Sequence, residues 1–152
     1  MRWLNRLTEF ITGNSEASEF RDRMVRIGGE LGIFLTLSDD GGASCAFSVD
    51  VRGESYTFVV LRDGERVQVS AFSKVRFPPG RLPPEVVSFL ARKNRELEHC
   101  DFDCIETRTQ SYFIVKSFVR WSRLTTDVIK AGVELLLPHI YALDAALYRE
   151  GV

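Results

Sequence analysis

Cysteine and histidine are both scarce in this chain. Three cysteines, Cys45, Cys100 and Cys104, and two histidines occur among 152 residues. Three unevenly spaced cysteines do not make the disulfide framework of a small secreted protein, so we expect a protein of a reducing compartment, the cytoplasm. Two histidines leave few candidates for a catalytic base or for a histidine-rich metal site.

Long apolar runs and an excess of one charge are also missing. No stretch approaches the roughly 18 consecutive apolar residues of a membrane-spanning helix, and Arg2, Asn5, Arg6 and Glu9 interrupt the apolar region that a signal peptide would need. The chain has 20 Lys and Arg against 21 Asp and Glu, a net charge of -1. Because this balance gives no overall field to hold a polyanion, we expect neither a nucleic-acid partner nor a membrane span.

The residues that are present suit a folded domain. Hydrophobic residues make up 45% of the chain and charged residues 27%, proportions typical of soluble globular proteins. At this length we expect a single α+β domain over residues 15–152, preceded by an amphipathic helix over residues 1–13. Gly13 and Asn14 are predicted to end that first helix. Its apolar face consists of Trp3, Leu4, Leu7, Phe10 and Ile11.

A second helix and an antiparallel meander are predicted to follow. An apolar stripe at helical spacing predicts a helix that Ser15 caps and that the glycines at 28, 29 and 32 weaken. From Ile33 to Phe77 the residues alternate with a period of two, which is typical of strands with one wet face. Tyr56–Leu61 is apolar on both faces and is the predicted central strand. The stripe consists of Phe20, Met24, Ile27 and Leu31; a short first strand is expected at Phe34–Leu35, and hairpin turns at Gly53–Glu54 and Asp63–Gly64.

The rest of the chain predicts a helix, a hairpin and a final helix. Pro84 suits the first position of a helix that runs to about Glu98. Alternation from Cys100 to Val119 predicts a two-stranded hairpin around the polar turn 107–110. Thr125 and Thr126 offer hydroxyl caps for a long C-terminal helix in which Pro138 is expected to cause a kink.

Residues that carry chemistry are few. His99, Cys100 and Cys104 come nearest to a thiol or zinc site, with Asp101, Asp103 and the distant His139 as further ligands. On a strand, however, Cys100 and Cys104 share a face with Phe102 between them, which is typical of buried cysteines in a core. Neither histidine lies in a catalytic motif, and no glycine-rich phosphate-binding motif is present. We therefore assign no catalytic, cofactor-binding or metal-binding residue and expect no cofactor.

Basic and aromatic residues offer weaker hints of a binding surface. Basic residues at positions 74, 76, 81, 92, 93 and 95 form a local basic patch or an ordinary solvated face. Most of the 11 Phe, 4 Tyr and 2 Trp are expected in the core, since aromatic side chains dominate cores and interfaces alike. The face with Trp3, Leu7 and Phe10 either packs back onto the sheet or binds another surface.

The order of these elements resembles the fold shared by type III secretion chaperones and the YbjN-like family of bacterial proteins. The resemblance covers residues 15 to 150 and lies in pattern and element order, without an invariant motif. The segments that carry it are the helix Phe20 to Leu31, the meander Ser44 to Phe77, the helical segment Leu82-Pro83-Pro84-Glu85-Val86-Val87-Ser88-Phe89-Leu90-Ala91-Arg92-Lys93-Asn94, the hairpin Cys100 to Val119, and Leu124-Thr125-Thr126-Asp127 leading into Leu143-Asp144-Ala145-Ala146-Leu147.

This resemblance implies a cytoplasmic, non-enzymatic bacterial protein, often a homodimer, that binds an extended segment of a partner protein. An antiparallel sheet with open edges suits that role, because an extended peptide can add as a further strand. The half-polar helix from Pro84 is the expected dimer or partner surface. Two alternatives stay open: a small-ligand sensor with a pocket between the sheet and the last helix near Pro138, and a thiol or metal enzyme that uses Cys100, Cys104 and His99.

Overall fold

The predicted order of helices and strands is confirmed from the sheet onward, whereas the two helices predicted before the sheet form one continuous helix. The computed structural model describes the backbone of residues 2–149 and the side chains of residues 15–148. The fold is α+β, and its elements are α1 (Arg2–Leu31), β1 (Thr36–Leu37), β2 (Ser44–Val51), β3 (Glu54–Asp63), β4 (Arg66–Phe77), α2 (Pro84–Glu96), β5 (Asp101–Glu106), β6 (Ser111–Arg120), a short 3-10 turn (Trp121–Arg123) and α3 (Thr126–Arg149).

The strands form one antiparallel sheet in the order β1-β2-β3-β4-β6-β5. The meander β2-β3-β4 is continuous, and the second hairpin joins it through β6, so that β5 becomes an edge strand. The sequence left the position of this hairpin open, because short turns determine only which strands are neighbours within a hairpin.

Helices cover one face of the sheet. The helix α3 packs across β4 and β6, α1 packs against α3 and β2, and α2 packs against β5. The covered face contains the core, and this arrangement satisfies the rule that a sheet buries its apolar face under a second layer. Its largest fully buried side chains are Tyr56, Phe20, Phe58, Phe113, Met24, Ile27, Ile129, Leu136 and Ile140.

The other face of the sheet, here called the outer face, is open to solvent. Exposed side chains lie on it in each of the long strands β3, β4 and β6, for example Leu61, Arg66 and Phe118. The prediction that Tyr56–Leu61 forms a central strand is confirmed, because β3 lies between β2 and β4. Its apolar residues are not all buried, however: Tyr56, Phe58 and Val60 are buried, whereas Thr57 and Leu61 are exposed. The strand is interior in the sheet, but only one of its faces is covered.

The predicted helix break at Gly13 and Asn14 is wrong, because α1 runs without interruption from Arg2 to Leu31. A glycine inside a helix costs only about 1 kcal/mol relative to alanine, and a break would leave two further sets of helix ends unsatisfied. The apolar face predicted for residues 3–11 lies outside the described side chains. Within the part of the chain that is described, no helix is long and apolar enough to cross a membrane.

The short turns are shifted by one or two residues from their predicted positions. The first strand lies at Thr36–Leu37 rather than at Phe34–Leu35. The β2–β3 turn is formed by Arg52 and Gly53, with φ of 52° and 81°, because Val51 pairs with Glu54. In the next hairpin the pairing of Asp63 with Arg66 places Gly64, not Asp63, at the turn's first central position. In both turns the strand register decides which residue adopts positive φ.

The predicted starts of α2 and α3 are confirmed, whereas Ser15, the predicted cap of a helix, lies inside α1; one strand irregularity was not foreseen. Pro83 is the N-cap of α2 and Pro84 its first residue, although α2 ends at Glu96, two residues before the predicted end. Thr125 caps α3, because its hydroxyl oxygen accepts a hydrogen bond from the Val128 N–H at 3.3 Å. The strand β4 carries a bulge between Phe72 and Arg76, which Asp144 of α3 holds by accepting hydrogen bonds from the Ser73 hydroxyl and, at 3.0 Å, from the Lys74 N–H.

Candidate protein-binding site

The outer edge of β2 is open over half of its length. β1 contains only two residues, which pair with Ala46 and Cys45, and the Ser38 N–H donates to the Ser44 carbonyl at 3.1 Å. Since backbone groups alternate in direction along a strand, Ala46, Ser48 and Asp50 point their N–H and C=O groups to the same side as Ser44. Among the described residues, nothing pairs with β2 on that side beyond Ala46.

An exposed phenylalanine stands beside this open edge. Phe34 is 98% exposed and borders a groove of about 610 Å³ that also contains the edge of β2. The groove is lined by Gly32, Ile33, Phe34, Thr36, Ala46, Phe47, Ser48, Asp50 and Thr57.

The end of α1 explains how Phe34 comes to stand there. Gly32 has a φ of 68°, and the Ile33 N–H donates to the Gly28 carbonyl at 3.0 Å while the Gly32 N–H donates to the Gly29 carbonyl at 3.3 Å. These two bonds form a Schellman motif, which turns the chain sharply at the helix end. Gly28 also lets Leu35 pack closely against the helix, because a Cβ at position 28 would lie 2.8 Å from the Leu35 side chain and force it to shift.

The opposite edge of the sheet is closed. The Asn94 side chain of α2 donates to the Phe102 carbonyl at 2.9 Å and accepts from the Phe102 N–H at 2.7 Å, as a neighbouring strand would. The next N–H on that edge, of Cys104, donates to the Asp103 carboxylate at 2.8 Å. Side chains therefore already hold the outward backbone groups of Phe102 and Cys104, so an added strand would have to compete for them. Proteins commonly protect the edges of their sheets by covering them in this way.

The cysteines are not arranged for thiol chemistry. Cys45 and Cys100 are buried, Cys104 is half-buried, and all three are free. Burial raises the pKa of the Cys45 thiol to about 12 and also raises the pKa of Cys100 and Cys104, with smaller contributions from nearby acidic side chains. Since the thiolate is the reactive form and the metal-binding form, this environment opposes both roles.

The other predicted ligands are not brought together either. His99 is exposed, with its Nε2 atom 3.9 Å from the Glu98 carboxylate, whereas the ring of His139 lies 6.5 Å from that of Phe102. Asp101 and Asp103 both pair with Lys116, at 3.9 Å and 2.9 Å. Within residues 15–148, no three His, Cys, Asp or Glu side chains converge as metal ligands would.

The predicted basic patch is partly neutralised. Lys74 lies 3.6 Å from the Glu54 carboxylate, and Lys93 lies 3.5 Å from that of Glu96. Arg76 is turned over the Tyr112 ring, with its guanidinium carbon 4.6 Å from the ring centre. These contacts favour the reading of the six basic residues as a solvated face.

A groove of about 410 Å³ lies between α2 and α3. It is partly apolar, but it runs along residues 143–147 of α3 rather than at Pro138, where the ligand-sensor hypothesis placed its pocket. Its lining residues are Pro83, Glu85, Val86, Phe89, Arg92, Leu143, Ala146 and Leu147.

Sequence reasoning missed the features that distinguish the two edges. Asn94 was assigned only to the polar half of its helix, since no local pattern shows that a side chain will meet a strand eight residues later. The exposed Phe34 was placed in a strand. The one usable signal in the sequence was Gly32. A glycine after the last turn of a helix commonly adopts a left-handed conformation, which predicts that the chain changes direction there.

Comparisons with known proteins identify the fold. Solved structures that contain a similar chain include the HopA1–SchA chaperone–effector complex, with a TM-score of 0.57, 12% identity and coverage of 83% of this chain and 93% of that one. They also include the ExsC–ExsE complex, with a TM-score of 0.61, 17% identity and coverage of 85% of this chain and 93% of that one. No protein-family model matches the chain. No curated protein matches it either. The chaperone-like fold is thus confirmed as a fold, while the YbjN-like part of the resemblance stays a prediction.

Proposed function

We propose that this protein is a chaperone-like binding module whose domain, residues 15–152, holds an extended segment of a partner protein as an added strand along β2. The observation that carries this proposal is the unpaired outer backbone of Ser48 and Asp50 beside the exposed Phe34. The activity is binding, without catalysis and without a cofactor.

Strand addition at this edge explains both affinity and selectivity. The N–H and C=O groups of Ser48 and Asp50 offer up to four main-chain hydrogen bonds to an extended peptide, whatever its sequence. Alternate side chains of the peptide then point to the two faces of the sheet. Every second side chain of the bound peptide would then contact Phe34 and the groove beside it. We therefore expect the protein to prefer peptides with apolar residues at every second position.

The closed edge of β5 supports the choice of β2. Asn94 already satisfies both outward groups of Phe102, so an added strand there would have to displace it. The similar chains were solved in complexes, one of them a chaperone–effector complex, which favours a partner protein over a small ligand. By the same resemblance we propose a cytoplasmic bacterial protein.

We also propose a homodimer through α2, on a surface separate from the β2 edge. Val87 is 47% exposed on this helix, and Phe89 borders the groove against Leu147 of α3. A second copy of α2 would bury these apolar side chains.

A displayed library of random extended peptides tests the binding site. Selected peptides are expected to bind the wild type and to protect the Ser48 and Asp50 amides from hydrogen exchange. The variant Ser48→Pro removes one outward N–H, and the fold should tolerate it because proline is accepted on an edge strand. Peptide affinity should fall about tenfold, because one main-chain hydrogen bond is lost and the proline ring keeps the peptide backbone away from β2.

The matched control is Glu106→Pro, which places proline at an outward position of the closed edge. It is expected to leave peptide affinity unchanged. Equal binding by wild type and Ser48→Pro, or protection that appears at Phe102 and Cys104 instead, would show that β2 is not the binding edge.

A further inference from the structure

Two arginines face each other on the outer face of the sheet. Arg66 of β4 is directly opposite Arg120 of β6 in the strand register, and both side chains are exposed. Like charges at directly opposite positions destabilise a sheet. In the part of the chain whose side chains are described, neither guanidinium group makes a salt bridge.

The nearest acidic side chains do not neutralise this pair. Asp63 is opposite Arg66 in the register, yet the guanidinium carbon of Arg66 lies 3.7 Å from the centre of the Phe118 ring instead. The charge of Glu65 interacts with that of Arg120, but the Glu65 carboxylate accepts a hydrogen bond from the Ser122 N–H at 2.9 Å and, among the described side chains, forms no salt bridge with either arginine. Positive charge therefore stays available at this end of the outer face.

Exposed apolar side chains adjoin the two arginines. Phe118 is 39% exposed and Leu61 is 45% exposed, and both are register neighbours of Gln68, one on each side. We call the four residues Leu61, Arg66, Phe118 and Arg120 the arginine patch. It combines exposed apolar side chains with two arginines that form no salt bridge, and protein interfaces are enriched in both aromatic residues and arginine.

A third cation on the same face shows the contrast. Lys116 of β6 lies 2.9 Å from the Asp103 carboxylate and 3.9 Å from that of Asp101. Lys116 thus forms two salt bridges within the sheet, whereas Arg66 and Arg120 form none among the described side chains.

We infer that the arginine patch binds a segment of a partner protein that presents carboxylate and apolar side chains on one face. A carboxylate between Arg66 and Arg120 would accept hydrogen bonds from both guanidinium groups and relieve their repulsion. Apolar neighbours of that carboxylate would cover Leu61 and Phe118. Nucleic acid is the less favoured partner, since the chain carries a net charge of -1 and so has no overall field to hold a polyanion.

This surface goes beyond the proposed strand addition and is tested with a probe that cannot add as a strand. The probe is a fluorescent helical peptide with a leucine stripe flanked by glutamates, and its matched control carries lysines in place of the glutamates. We expect anisotropy titrations to show binding of the glutamate peptide only, with an affinity that falls as salt is raised.

Variants locate the contact. Arg66→Ala with Arg120→Ala is expected to weaken binding of the glutamate peptide about fivefold, the upper range for exposed ion pairs. Lys116→Ala, which removes one positive charge from the same face, should change it far less, and Ser48→Pro should leave it unchanged. If Ser48→Pro still binds the glutamate peptide but no longer binds the selected extended peptides, the arginine patch and the β2 edge are two separate binding sites. The failure of one proposal can then be told apart from the failure of the other.

Several results would overturn the inference. These are no binding of the glutamate peptide, equal binding of the lysine peptide, equal binding by the double arginine variant, or an equal loss with Lys116→Ala. Tighter binding of single-stranded oligothymidylate than of the glutamate peptide would assign the patch to nucleic acid instead.

Discussion

Arg62 stacks on Trp121, with its guanidinium carbon 3.8 Å from the centre of the indole ring. The guanidinium carbon of Arg23 in α1 lies 3.6 Å from the same ring centre. Because two guanidinium groups do not fit over one face of an indole ring, the Trp121 ring lies between the two arginines. Arg62 also reaches the Glu19 carboxylate at 3.2 Å, and Gly64 donates its N–H to Glu16 at 2.6 Å. The β3–β4 hairpin, the turn after β6 and α1 are thus joined at one point.

Replacing Arg62 with alanine should therefore destabilise the whole fold. The side chain is largely buried, and it contributes a cation–π contact and an ion pair to α1, so we expect a loss of about 1–2 kcal/mol in the free energy of unfolding. Urea denaturation followed by tryptophan fluorescence measures it.

The matched control is Arg21→Ala on the exposed side of the same helix, which should change stability by less than about 0.5 kcal/mol. Equal effects of the two substitutions would mean that the Trp121 contacts contribute nothing specific.

Asp144 makes the stability of the protein depend on pH. Burial raises the pKa of its carboxyl above the ordinary 3.8, although hydrogen bonds from Ser73 and the Lys74 N–H act in the opposite direction. Because the pKa is higher in the folded chain than in the unfolded chain, the folded state takes up this proton first as the pH falls. The contribution of this proton to the free energy of unfolding is therefore complete at pH values below the pKa of Asp144 in the unfolded chain. It is lost as the pH rises through the pKa of Asp144 in the folded chain.

The substitution Asp144→Asn keeps an acceptor for Ser73 and removes the titration. We therefore expect the wild type to gain stability relative to Asp144→Asn as the pH is lowered from neutral into the acid range. Chemical denaturation of both proteins at a series of pH values measures this difference. Exposed carboxyls with a lowered pKa, such as Asp40 and Glu65, have the opposite pH dependence, but they are present in both proteins and so cancel in the difference. A difference that stays constant with pH would contradict the burial effect.

Ser111 is expected to be a site where a smaller, apolar side chain stabilises the protein. Its side chain is fully buried at the start of β6, and its hydroxyl oxygen has no hydrogen-bond partner among the described residues. A buried unsatisfied hydroxyl costs about 1–3 kcal/mol, so Ser111→Ala should raise the free energy of unfolding by about 1 kcal/mol. Ser117→Ala, at another buried serine of the same strand, serves as the comparison. A loss of stability with Ser111→Ala would show that its hydroxyl has a partner in solution.

Much of the fold could be predicted from the sequence because its signals are local. Alternation gave β2, β3 and β4, Pro84 gave the start of α2, and Thr125 gave the cap of α3. The positions of the turns depend on register, which is set by pairing across the sheet, and they were wrong by one or two residues.

The candidate site was harder to predict, because it depends on which groups are left without a partner. Ser48 and Phe102 both follow an alternating pattern, and nothing in their local sequence shows that one is free while the other is bound by Asn94. The bulge held by Asp144 depends in the same way on a contact between residues 70 apart in the chain.

Removing the Asn94 side chain should open the second edge of the sheet. In the wild type the Phe102 N–H is an edge amide that is nevertheless bonded, to the Asn94 carboxamide oxygen at 2.7 Å. In Asn94→Ala this N–H and the Phe102 carbonyl become free, and an exposed edge can pair with the same edge of another copy. We expect faster hydrogen exchange at Phe102 and a new, concentration-dependent associated species in light scattering, while Arg95→Ala on the same helix leaves both unchanged. If Phe102 exchanges equally fast in the wild type and in Asn94→Ala, the carboxamide does not protect the edge, and the preference of a partner strand for β2 needs another cause.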